Sequence, residues 1–238
     1  MSKRFLVFQH MPWEKPGQHL MRCAKARRVR LEILEVWHQA IPDLHAYDGL
    51  IVLGGSPNVN QEDRYPFLRA EKEAIRWIIE QDKAYLGFCL GHQLLGDVLG
   101  ARVGPNFCCS IGFIQGQITK NGRSHPLFQE MPQSIPLFKW HAQAVLPPLP
   151  KDVEILVTSA DCQIEAISVK NRPHLVGLQF DNYAASVADV REWVEGDCEW
   201  LARANINPLQ VIREAREMEY LIGVHFELFF ENFLNLLL

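Results

Sequence analysis

Short apolar runs alternate with amphipathic stretches along the first hundred residues, and this alternation predicts the fold. Residues 4–9 are apolar and bounded by charge and by His10-Met11-Pro12, the pattern of a buried strand. Helical character follows over 19–29, then a second strand over 31–36. Asp48-Gly49 leads into Leu50-Ile51-Val52-Leu53, a continuous apolar run typical of a central parallel strand, which stops at Gly54-Gly55-Ser56-Pro57. Residues 66–81 read as an amphipathic helix with Pro66 at its first turn, and 83–88 as the next strand. Strands alternating with helices indicate an α/β protein with a doubly wound, mostly parallel sheet flanked by helices. In such sheets ligands sit beyond the carboxyl ends of the strands. Gly54-Gly55 and the residues after Phe88 both fall at such ends.

From about residue 104 to 180 the pattern changes to short runs bounded by turns: 111–114, 117–119, 137–140, 155–157 and 166–169. These predict further, partly antiparallel strands, and 175–180 is the last strong one. Beyond Ala184 the chain reads as helical, over 187–203 and from Pro208 onward, with Asn207-Pro208 as a helix start. Phe226, Phe229, Phe230 and Phe233 make the last helix strongly apolar, which fits core packing against the sheet. Glu227, Glu231 and Asn232 on its polar side argue against a membrane-surface helix, and a homodimer contact is the alternative use. The expected division is residues 1–185 as one domain and 186–238 as a helical extension packed on it.

Composition narrows the function. The 238 residues are 48% hydrophobic and 22% charged, enough for a substantial core. A net charge of −4 leaves no basic excess for nucleic acid. Lys25, Arg27, Arg28 and Arg30 are read as the solvated face of one helix. No apolar stretch is long enough to cross a bilayer, and the N-terminus has no signal-peptide layout. The six cysteines contain no C-x-x-C pair and suit neither a zinc site nor a disulfide framework. A reducing, cytoplasmic setting is expected, with no metal and no cofactor.

The chemistry concentrates in Gly87-Phe88-Cys89-Leu90-Gly91-His92-Gln93. One cysteine stands between glycines, after a strand and before the helical pattern 94–99. A strand turning sharply into a helix around one nucleophile is an elbow, here carrying a thiol. The helix N-terminus favours thiolate over thiol. The N–H of Leu90, next to the nucleophile, is a natural oxyanion donor. Gly55 is the candidate for the second, although Gly54-Gly55 also reads as an ordinary strand-end turn.

These residues resemble the class I glutamine amidotransferases. Gly87-x-Cys89-x-Gly91-x-Gln93, preceded by Leu53-Gly54-Gly55-Ser56, is similar to stand-alone members related to the glutaminase domain of GMP synthase. Trp140-His141, Leu146-Pro147 and Gly177-Leu178-Gln179-Phe180 fall where that group has similar segments, so the resemblance covers roughly residues 5–183. It implies the family's flavodoxin-like fold and a glutamine or γ-glutamyl substrate. In the family the thiolate attacks the side-chain amide, ammonia leaves, and water releases glutamate from the thioester. Gln93, and Gly54 beside the oxyanion turn, would hold the substrate, Gln93 also having a purely structural alternative. The ammonia acceptor would be a separate synthetase subunit.

The pattern breaks after the last strand. The family places its base and orienting carboxylate in Phe-His-Pro-Glu or a close variant, whereas this chain has Phe180-Asp181-Asn182-Tyr183. Asp181 then stands at the histidine position and Tyr183 at the glutamate position. An aspartate titrates near pH ~3.9, far from a neutral-pH base. Beside a thiol it raises the thiol pKa. His92 is expected beside the elbow helix and His141 in a loop-like context, both with structural or solvated roles. Two readings stay open: an amidotransferase or γ-glutamyl hydrolase with an altered triad, and a non-catalytic relative acting as a binding or regulatory module.

Overall fold

The structure, a computed structural model, describes residues 2–237. The parallel half of the sheet is built from β1 (Arg4–Gln9), β2 (Arg30–Glu35), β3 (Gly49–Val52) and β4 (Ala84–Phe88), with α1 (Gln18–Ala26), α2 (Phe67–Glu80) and α3 (Leu90–Val98) between or after them. Period-two alternation divides each strand between two cores. Phe5, Val7, Ile51, Leu86 and Phe88 face one, with Leu20 and Cys23 of α1. Leu6, Phe8, Leu50, Val52 and Tyr85 face the other, with Ile75 and Ile78 of α2 and Leu94 of α3. Strands buried on both faces explain the unbroken apolar runs.

The second half comprises β5 (Arg102–Ile118), α4 (Lys120–Ser124), β6 (Ser134–Leu146), β7 (Val153–Ser159), β8 (Ala166–Val169) and β9 (Arg172–Leu178). All nine strands form one sheet in the order β2-β1-β3-β4-β9-β8-β7-β5-β6. Pairing is parallel from β2 to β9 and antiparallel from β9 to β6. The runs predicted at 111–114 and 117–119 are one strand of 17 residues, because Gly112 and Gly116 sit inside a continuous ladder with β6. His141 lies within β6 rather than in a loop.

Although β6 is last in the sheet order, it curls back onto the end of β9. Asp181 N–H donates to Phe138 O at 2.8 Å. The Asn182 side chain accepts from Phe138 N–H at 2.8 Å and donates to Pro136 O at 2.9 Å. Asn182 thus acts as a one-residue strand that pins β6 over the carboxyl end of β9. Asn182→Ala orphans two buried backbone groups and is expected to cost about 3 kcal/mol. Urea unfolding checks this; an unchanged midpoint would remove the pinning role.

Residues 187–203 form two helices, α5 (Val187–Gly196) and α6 (Cys198–Arg203), not one. The break is Asp197, whose carboxylate leaves the helical path to accept the Trp140 indole N–H at 2.8 Å. The final helix, α7 (Pro208–Asn235), starts with Asn207 accepting from Leu209 N–H at 3.0 Å. It buries Phe226, Phe229, Phe230 and Phe233 in the core shared with Phe5 and Phe88. The basic cluster is not one helix face: α1 ends at Ala26, Arg28 has φ +54°, and Arg30 opens β2. All four of those side chains are exposed. Among the described residues no helix is long and apolar enough to cross a membrane.

Candidate active site

The carboxyl ends of β1, β3, β4 and β9 surround a cavity of about 310 Å³. Glu14, Gly55, Cys89, Gln93, Trp140 and Asp181 line it. The sequence-predicted residues Gly55, Cys89, Gln93 and Asp181 therefore do converge.

Cys89 sits at the turn from β4 into α3 with φ +45° and ψ −100°, a strained conformation for a residue with a Cβ. Its N–H donates to Leu178 O at 2.8 Å, and its carbonyl accepts Gln93 N–H at 3.0 Å, so both sides of the turn are fixed. The thiol is 6% exposed and lies 3.9 Å from Trp140 O. The N–H of Leu90 is directed at the sulfur. Gly55 lies against Leu90 and the His10 ring. Gln93, just inside α3, donates to Gln143 O at 3.0 Å and to Gln179 Oε1 at 3.3 Å. Its amide N–H groups are thus spent on the cavity wall.

Asp181 is wholly buried, and neither carboxyl oxygen has a hydrogen-bond partner among the described residues. Tyr183 is equally buried, but it does not orient Asp181. Its ring packs on Phe88 at 4.6 Å between centroids, and its hydroxyl accepts Gly54 N–H at 3.4 Å. Tyr183 therefore props the turn at Gly54 from the core side.

Two histidines expected in solvated or structural roles are buried and neutral. Burial pushes His92 down to about 3. Burial, then Lys139, pushes His141 well below its usual range. His141 Nδ1–H donates to Gln143 O at 2.9 Å. Its Nε2 faces Cys162 and Glu165, the three ligand atoms lying within 4.8 Å of one another. Lys139 Nζ is already paired with Glu165 there, both fully buried. A divalent cation at that point would face an ammonium a few ångströms away in low dielectric, which disfavours it.

Sequence reasoning missed two residues after β1. His10 Nδ1–H donates to Gly54 O at 2.8 Å, and its Nε2 meets Glu71 Oε1 at 2.9 Å. This fixes the carbonyl of the candidate oxyanion turn. Glu14, only 4% exposed, is a cavity wall. The signal for both was the strand-end rule applied to β1, which lies beside β3 in the same parallel sheet.

The electrostatics oppose thiolate. Burial pushes the Cys89 thiol well up, and Asp181 and Glu14 push it further, against Lys139 and the Leu90 N–H. Burial raises Asp181 well above the carboxylate range, with Lys139 opposing. Burial, then Asp197 and Asp181, raises Glu14 to about 8. The site is thus an oriented nucleophile and an oxyanion turn, with carboxyls where a base would stand.

Residues 17–180 match the glutamine amidotransferase class-I family. The chain is 26% identical over 221 residues to the glutamine amidotransferase-like protein YfeJ of Salmonella typhimurium, covering 81% of this chain and 90% of that protein. It is 30% identical over 172 residues to a free-standing subunit of the glutamine-hydrolysing GMP synthase of Methanosphaera stadtmanae, covering 69% of this chain and 82% of that protein. A crystal structure of a glutamine amidotransferase from Thermotoga maritima superposes with a TM-score of 0.88 over 98% of each chain, at 24% identity.

Proposed function

The chain belongs to the class-I glutamine amidotransferase family, and on that premise we propose that Cys89 cleaves the side-chain amide of glutamine or a γ-glutamyl compound, slowly. The observation that carries this is the strained elbow. Cys89 stands at φ +45° on the floor of a cavity, with Leu90 N–H beside the sulfur. Attack on the amide carbon puts charge on its oxygen, and the N–H groups of Leu90 and Gly55 take that charge. A thioester forms as ammonia leaves, and water then releases the acid. Turnover is slow because the thiol is held protonated beside Asp181 and Glu14. The likeness to a free-standing GMP synthase subunit supports a separate synthetase chain as the ammonia acceptor.

That same carboxyl environment favours a second reading, a binding module in which the thiol never turns over. Ammonia release from glutamine by the purified protein, against Cys89→Ala, separates the two. Release that disappears in the variant is the expected result. Equal background from both proteins would leave the binding reading.

A further inference from the structure

Glu14 has no hydrogen-bond partner among the described residues, yet it is nearly enclosed. Its position is set by the segment between β1 and α1. A methyl group built on Gly54 would stand 3.0 Å from Glu14 Oε2, 3.3 Å from Asp181 Oδ1 and 3.6 Å from Cys89 Cβ. Two carboxyls and the cysteine thus converge on one point beside the oxyanion turn. They differ in access. Both Asp181 oxygens are sealed from solvent without a partner, whereas Glu14 opens on the cavity where a substrate amide would lie.

We propose that Glu14 is the acid–base group of this site, standing in for the absent histidine. This rests on Cys89 being the nucleophile. The thiol proton passes to the Glu14 carboxylate as sulfur bonds to the amide carbon and the carbonyl π electrons move onto oxygen. When the intermediate collapses, the C–N bond breaks and nitrogen takes that proton from Glu14, leaving as ammonia. Water then adds to the thioester, giving a proton to Glu14. The C–S bond breaks, and the sulfur recovers that proton. Nothing beyond the amide and water is consumed.

The groups facing Glu14 suit this task. Asp197 at the α5–α6 junction and Asp181 after β9 raise it to about 8, and His10 after β1 opposes them. A carboxyl titrating near the working pH both accepts and returns a proton, which an ordinary glutamate at pH ~4.3 does poorly. Lys139 acts on Asp181 and Cys89 from β6.

Glu14→Gln separates a proton carrier from a mere neighbouring charge, because the two roles predict opposite signs. Iodoacetamide alkylation of Cys89 reads the thiolate fraction alone. Removing the Glu14 charge lowers the thiol pKa, so alkylation at pH 7 is expected to hold or speed up. Ammonia release from glutamine also needs the proton returned, and it is expected to fall on the order of 10²-fold. The limb near pH 8 should vanish from its pH profile. Glu14→Asp, which keeps the carboxyl, should restore part of the release, and it carries the test if the Gln variant fails to melt cooperatively. Release unchanged in Glu14→Gln, or both rates moving together, overturns the role of Glu14 while Cys89 stands. Absence of Cys89-dependent release in the parent overturns the nucleophile itself, and Glu14 with it.

Discussion

Asp181→His is expected to raise Cys89-dependent ammonia release from glutamine by on the order of 10²-fold at pH 7, the low end of what a positioned base contributes. Two effects add. The substitution removes the charged group that most strongly lifts the Cys89 thiol after burial itself. It also places at the end of β9 an imidazole, whose protonated form stabilises a thiolate. The space is suitable: Asp181 lines the cavity, and its oxygens hold no bonds that a ring would break. The third group is already present. Glu14 Oε2 and Asp181 Oδ1 both lie near the Gly54 Cα, so an imidazole at 181 finds Glu14 as its orienting carboxylate. Converting Tyr183 to glutamate is unnecessary on this geometry and harmful, because its ring is core between Phe88 and Trp193. Losing an aromatic there costs about 3–5 kcal/mol. Steady-state ammonia assays with parent, Asp181→His and Asp181→His/Cys89→Ala decide the matter. A folded Asp181→His protein no faster than the parent would mean that the end of β9 does not face the reacting atoms.

The sequence carried the parallel half of the sheet well, since strands buried on both faces leave unbroken apolar runs such as Leu50-Ile51-Val52. It carried the elbow too, because the strand, the cysteine and the helix are contiguous. The antiparallel half was fragmented. Gly104, Pro105, Gly112 and Gly116 read as breaks, while β5 runs through all of them and absorbs its irregularity as a register shift between Pro105 and Ser110. At the site, Asp181 was legible because a contiguous segment, Phe180 to Tyr183, carries the family pattern. The true neighbour of Tyr183 was not. Its hydroxyl turns to Gly54, 129 residues away in sequence. Glu14, His10 and the Lys139–Glu165 pair were illegible for the same reason. Their meaning is tertiary, and a glutamate at position 14 looks like any surface acid until β1 is placed beside β3.

Gly91→Ala is expected to be the most damaging single-atom-scale change near the site, costing more than about 4 kcal/mol. The added Cβ would lie 2.3 Å from Val52 O and 2.9 Å from Val52 C, backbone atoms of β3 that have no rotamer to yield. Relief requires α3 to withdraw from the sheet, yet α3 is held there by Tyr85 OH donating to Gly91 O at 2.8 Å. Withdrawal would also carry Leu90 N–H and the Cys89 turn away from Gly55, so chemistry and stability fall together. Gly100→Ala is the control. Gly100 sits at φ +90° with open space around it, so only the left-handed conformation is penalised, by about 1–2 kcal/mol. For a chain of this size each kcal/mol shifts the melting temperature by about 2–4 °C. The Gly91 variant should therefore melt at least ~8 °C below the parent, and well below the Gly100 variant. If the two variants melt together, the close approach of α3 to β3 does not set the elbow, and the strain at Cys89 must be held by its hydrogen bond to Leu178 instead.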